Sequence, residues 1–306
     1  VDALIRQAHG RTGHLDPDAV RRLGRGYRQV TADLAQARRR FPGDPVTTRL
    51  EHLARQARAL VYGTVQQRQS VRHFVTTGYW RRVRERPRFL AIAAVALLGP
   101  ALVLGAWTNV DPTGARQVAQ ISPITANLAD GGGRDADVDR ESDPTVNVNL
   151  SAQIFTNNAR VALLAYAGGL SGGVLTLVSL VFNGLVLGLA AGLATLSGNG
   201  GSFWRLVVPH GVLELSLIVA AGAAGLRTGW ALVHPGHRTR VEALAVEGRA
   251  GVEMALGSAA LLVPCGLIEG FVTPRGLSLP AALALGIGLG AGYWALVWWR
   301  GAPEPT

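Results

Sequence analysis

The chain contains no lysine: all 30 of its basic residues are arginine, set against 20 aspartates and glutamates. We read this as a genome-composition bias and draw no function from it. There is one cysteine, Cys265, which excludes an internal disulfide framework and any cysteine-based zinc site. Aromatic residues make up 6% of the chain and form no base-stacking series among the arginines, so the net charge of +10 does not mark a nucleic-acid surface. Charged residues amount to 16%, while 48% of the residues are hydrophobic and 39 are glycine. That balance excludes an ordinary soluble enzyme and implies a polytopic membrane protein.

The charge is lopsided. Residues 1–88 hold 19 Arg against 7 acids, whereas residues 89–306 hold 11 Arg against 13 acids. The basic part is expected on the cytosolic side, drawn to the anionic inner leaflet of the lipid bilayer. Asp16-Pro17 has the form of a helix N-cap followed by proline at the first helical position. Val20, Leu23, Tyr27, Val30 and Leu34 then give one apolar seam, and Val46, Leu50, Leu53, Ala57, Leu60 and Thr64 give a second after the break at Phe41-Pro42-Gly43-Asp44-Pro45. A self-packed cytosolic helical hairpin is expected, with an open docking surface as the alternative. Residues 72–88 combine Phe74, Tyr79 and Trp80 with arginines and are expected to anchor at the inner leaflet, completing an N-terminal region of 1–88.

Phe89–Trp107 (89–107) is apolar enough to be the first transmembrane helix, and no cleavable signal peptide is expected before it. The segment 108–150, rich in aspartate, is expected outside as a partly disordered loop. Its aspartates 135, 137 and 139 lack the glycine and later glutamate of an EF-hand. Residues 151–300 are expected to hold five more spans. Charge parity requires 154–196 to cross twice, turning near Gly168-Gly169-Leu170-Ser171-Gly172-Gly173, because the basic segment 227–250 should be cytosolic. Further spans are expected at about 203–226, 251–272 and 280–299, followed by a short tail at 301–306. The fold class is therefore an all-α polytopic helical membrane bundle of about six transmembrane helices preceded by a cytosolic helical hairpin, with seven spans and a re-entrant element as the rival. Both termini are then cytoplasmic.

Several polar residues fall inside these apolar runs. Pro209-His210-Gly211-Val212-Leu213-Glu214 places an imidazole and a carboxylate one helical turn apart. Asn157, Asn158 and Arg160 open the second span, Asn183 lies deeper in the third, and Glu269 closes the fifth. An ionisable group at membrane depth costs roughly 2.5–3.5 kcal/mol on insertion scales, so the set is a candidate polar pocket in the outer half of the bilayer. Burial in the headgroup layer and an interhelical hydrogen-bond cluster are the two bland alternatives. Gly168, Gly172, Gly184, Gly188 and Gly192 recur at four-residue spacing, as in closely packed membrane helices.

The elements Asn157-Asn158-Ala159-Arg160-Val161-Ala162-Leu163, Phe182-Asn183-Gly184-Leu185-Val186-Leu187-Gly188, Pro209-His210-Gly211-Val212-Leu213-Glu214 and Ile268-Glu269-Gly270-Phe271-Val272-Thr273-Pro274 together resemble the stage II sporulation protein M family. The resemblance spans roughly residues 16–299. It implies a bacterial plasma-membrane protein of about six helices, whose named relative anchors peptidoglycan-remodelling partners during forespore engulfment. On this resemblance the first functional expectation is a non-enzymatic scaffold for envelope or peptidoglycan-remodelling proteins, with no cofactor. The second is a small-solute or lipid transporter using the polar pocket. The third is a metal-dependent intramembrane hydrolase with His210, Glu214 and Glu269 as ligands, for which neither a zincin motif nor a general base is visible.

Overall fold

The computed structural model describes residues 1–8, 15–41, 43–62, 71–121 and 144–302, and all regular structure in them is helical. They form two units, Val1–Ser70 and Val71–Thr306.

The first unit contains α1 (Asp2–Ala8), α2 (Pro17–Arg40) and α3 (Pro45–Tyr62). Asp16 caps α2 as its sequence suggests: it is extended, at φ −67° and ψ 160°, and accepts from the Ala19 N–H at 2.6 Å. Gly43, at φ +90°, turns the chain between α2 and α3. Arg38 then reaches across to Glu51 at 2.7 Å. The apolar seam is rotated from the expected one. Ala19, Leu23, Val30 and Ala37 of α2 are buried, as are Ala54, Ala57 and Leu60 of α3, whereas Val20 and Val46 are 41% and 61% exposed. The cause is α1, which periodicity did not bring out. Its Ala8 clusters with Ala19, Leu23 and Leu60 and draws that face inward.

The second unit opens with α4 (Val71–His73), a π-helical turn (Phe74–Gly78) and α5 (Tyr79–Arg84). The long helices follow: α6 (Pro87–Val110), the short α7 (Pro112–Ile121), α8 (Pro144–Ala167), α9 (Val174–Leu196), α10 (Gly200–Val233), α11 (Arg240–Phe271) and α12 (Leu279–Arg300). Among the described residues, α6, α9, α10, α11 and α12 are long and apolar enough to cross a membrane. The expected outer loop is helical at both ends, as α7 and the start of α8, because Pro112 and Pro144 each begin a helix where a missing N–H costs nothing. Residues 122–143, with aspartates 135, 137 and 139, lie outside the described residues.

Residues 71–88, grouped by composition with the hairpin, pack with the second unit. Tyr79, Trp80 and Val83 are 2%, 8% and 1% exposed. The Tyr79 hydroxyl sits 3.0 Å from Ser258 Oγ of α11 and 2.8 Å from Tyr293 Oη of α12. These aromatics therefore seal the bundle and do not face lipid headgroups. The physical reason is Gly257: its bare Cα admits the Tyr79 ring where any Cβ would collide with it.

α8 and α9 are joined by a 3₁₀ turn at Gly168–Ser171 followed by Gly172 and Gly173 at φ +73° and +94°, a left-handed pair that reverses the chain within the bundle. At the centre runs α10. In its membrane window 72% of the residues are buried, against 22% for α6 and 28% for α9 and α12. Its stretch Val219-Ala220-Ala221-Gly222-Ala223-Ala224-Gly225 is small enough for neighbouring backbones to approach from several sides.

Candidate functional site

α10 carries Pro209 inside the helix and, directly after it, His210 and Glu214 on one face. That face meets α11 near its end, where Glu269 sits one turn beyond the buried Cys265, and meets α8 at Asn158. His210 Nδ1 lies 2.5 Å from Glu269 Oε2. The two atoms are in direct polar contact, which is an ion pair when the imidazole is protonated. Asn158 Nδ2 donates to Glu214 Oε2 at 2.8 Å. The second carboxylate oxygen of Glu214 is buried without a hydrogen-bond partner among the described residues. His210, Glu214 and Glu269 are 7%, 6% and 9% exposed, so the three titratable groups share a site almost closed to solvent. Burying a charge costs several kcal/mol unless it is paired, which gives one imidazole between two carboxylates a strong call on any proton or cation that can enter.

Of the seven residues singled out from sequence, four converge here: Asn158, His210, Glu214 and Glu269. Asn157 and Arg160 are exposed, because they leave the α8 surface at other angles than Asn158. Asn183 spends its amide on the Ser179 carbonyl of its own helix at 2.7 Å. Among the described residues no group of three His, Cys, Asp or Glu is arranged to hold a metal ion.

Two further features escaped sequence reasoning. An ion-pair network joins the segment before α6 to α10 and α11: Arg227 bonds Glu85 at 2.9 Å and also Glu247, Arg86 reaches Glu247 at 3.0 Å, and Arg82 reaches Glu253 at 2.8 Å. Burial would raise the Glu85 carboxyl, but the hydrogen bond and charge of Arg227, aided by Arg82, outweigh it and hold Glu85 below its ordinary value. Arg227 is 4% exposed, and an arginine at the end of an apolar run, with Glu247 twenty residues on, was the available signal. The other feature is a largely apolar cavity of about 550 Å³ between α6, α9 and α10, lined by Leu102, Gly188, Gly192, Trp204, Gly211 and Val212 among others. Its α10 wall, Val208, Gly211, Val212 and Leu215, does not include His210 or Glu214.

Residues 93–274 match the family model of stage II sporulation protein M. The chain belongs to this family. The match takes in all four residues of the polar cluster and leaves α1–α5 and α12 outside it. Family membership and the five apolar helices together make the chain a multi-pass membrane protein. Residues 1–63 match a separate family described as a domain of unknown function. Among curated proteins the chain is similar to the uncharacterized protein MJ0793 of Methanocaldococcus jannaschii, 28% identical over 134 residues, which is 43% of this chain and 75% of that relative. No solved structure matches the chain.

Proposed function

We propose that this family member is a transporter in the bacterial plasma membrane, moving a small cation, a proton or a lipid headgroup through the polar cluster of Asn158, His210, Glu214 and Glu269. The observation that carries the reading is the unpartnered, buried oxygen of Glu214. A cluster that served only to fix helix packing gains nothing from an orphaned carboxylate oxygen, which costs about 1–3 kcal/mol or more, whereas a binding site for a transient cation needs one. In this reading α8 is the sixth span, both termini and the α1–α3 hairpin are cytoplasmic, and the cluster lies in the outer half of the bilayer. Arg81, Arg82 and Arg84 in the last turn of α5, with Arg238 and Arg240 where α10 connects to α11, support that orientation.

Reconstituted protein should show proton or small-cation flux, or lipid scrambling, that drops at least about tenfold in Glu214→Gln, which keeps the shape and the Asn158 contact but removes the charge. Equal flux in both proteins would remove the carboxylate from the mechanism.

A second reading, an anchor for envelope or peptidoglycan-remodelling proteins, is favoured by the first unit. Phe41 and Val46, at the tip of the hairpin, are 60% and 61% exposed, an apolar pair that self-packing leaves uncovered. Crosslinking followed by pull-down should then return a defined envelope protein that Phe41→Ser with Val46→Ser loses. Recovery of bulk membrane proteins alone would count against the anchor.

A further inference from the structure

Where α6 begins, α10 ends and α11 begins, a second cavity of about 210 Å³ opens beside the ion-pair network. Arg86, Arg88, Arg227 and Arg238 face it, against the single carboxylate of Glu247. Two of the four arginines are already held. Arg227 and Arg86 are fixed by Glu85 and Glu247 and form a rigid wall. The other two differ: among the described residues neither Arg88 nor Arg238 has a carboxylate within ion-pair distance. Arg88 lies over the Phe89 ring, 4.8 Å from its centroid, and Arg238 stands in the exposed connection between α10 and α11, where Glu242 acts on it only through space. His234, also on the cavity, is tilted by 37° against Trp230, with ring centroids 5.8 Å apart. The site is therefore an unneutralised cationic cleft at the end of three long helices.

We propose that this cleft binds the phosphate of an anionic phospholipid, independently of the polar cluster and of any transport through it. The charge calls for an oxyanion, and guanidinium groups suit a phosphate because their planar donors can meet two oxygens at once. The volume admits a phosphate with its ester carbons, not a protein segment. What selects a lipid over free phosphate is the apolar rim. Trp230, which lines the cleft on the last turn of a helix apolar enough to span the membrane, is 46% exposed. A soluble anion has no use for that surface, whereas a lipid whose phosphate enters the cleft lays its glycerol and upper acyl chain along it. Tryptophan at the level of the headgroups and basic pockets between helix ends are the usual means of holding such a lipid.

The test is native mass spectrometry of the full chain in detergent with added phosphatidylglycerol or phosphatidylcholine. Wild type should retain one phosphatidylglycerol in preference to phosphatidylcholine. The double variant Arg88→Gln, Arg238→Gln should bind it roughly 10- to 30-fold more weakly, as expected for two lost surface arginines. A control with the same charge change outside the cleft, Arg72→Gln with Arg300→Gln, should stay within about twofold of wild type. Equal binding by wild type and the cleft variant overturns the proposal, and so does an equal loss in the control, which would indicate diffuse attraction. Displacement of the lipid by millimolar inorganic phosphate would reassign the cleft to a soluble anion. Melting in detergent should be unchanged in both variants; if the double variant melts early, Arg238→Gln alone, in the connection outside the helices, carries the comparison.

Discussion

Arg227→Met should lower the stability of the membrane unit by about 3 kcal/mol, at the lower end of what breaking a buried pair costs. The guanidinium is almost wholly buried and serves two carboxylates on two different elements, Glu85 before α6 and Glu247 on α11. Removing it leaves Glu247, whose side chain is 14% exposed, with Arg86 as its ion-pair partner, and leaves Glu85 with Arg82 at 3.4 Å. A loss of that size should bring apparent melting in detergent down by roughly 6–12 °C. Adding Glu247→Met should recover only part of it: the buried carboxylate goes with its main partner, but Arg86, whose side chain is 42% exposed, then loses its own partner and must be held by water. The acid limb follows. Glu85 is held below its ordinary value of 4.5, so its contribution is complete above that pH and disappears as the pH falls through the lowered folded-state value. Wild type should therefore lose stability on acidification below about 4.5, and Arg227→Met should lose less over the same range. A variant that melts like wild type would show that the network contributes nothing to folding.

Gly184→Leu should be nearly as damaging, by about 3 kcal/mol, through shape alone. A Cβ on Gly184 falls on the carbonyl oxygen of Leu97, a backbone atom in the buried face of α6 that no rotamer change can clear. Gly188 stands in the same relation to the Ala101 carbonyl, and Gly192 meets the Thr108 side chain, so α6 and α9 touch at three points between Leu97 and Thr108. In lipid, where tails are as apolar as leucine, that close van der Waals contact is what holds two helices together. Gly99→Leu is the control: it lies on α6 two residues from Leu97, with only a Val95 methyl at 4.0 Å from the new Cβ. Melting of the two variants should separate by roughly 6–12 °C. Equal melting would mean that the α6–α9 contact is looser than described.

The glycine spacing that announced this contact was legible in the sequence, and so were the cap at Asp16 and the turn at Gly168–Gly173, because each depends on residues close together in the chain. Of the polar residues, His210 and Glu214 were legible as a pair for the same reason. Their meeting with Glu269 and Asn158 rested on shared membrane depth, which restricts the height of a residue along a helix but not its angle around it. That angle separates Asn158 from Asn157, and it turns Asn183 back to its own backbone. The Tyr79–Ser258–Tyr293 contact was not legible, since an aromatic beside arginines looks alike whether it faces headgroups or a glycine notch in a neighbouring helix. Arg227 and Glu247 were counted for their sign, and a sum of charges contains no pairing.

The burial of α10 has a consequence for biogenesis. This helix enters the membrane bearing His210, Glu214 and Arg227, yet Glu247 is synthesised twenty residues after Arg227, and Glu269 comes only at the far end of α11. For the interval between them, Arg227 has Glu85 and Glu214 has Asn158, whereas His210 has yet to meet Glu269. Translation order thus makes α10 and α11 a single unit of assembly: in a chain stalled between them, α6 and α9 are already apolar spans, but His210 still lacks Glu269.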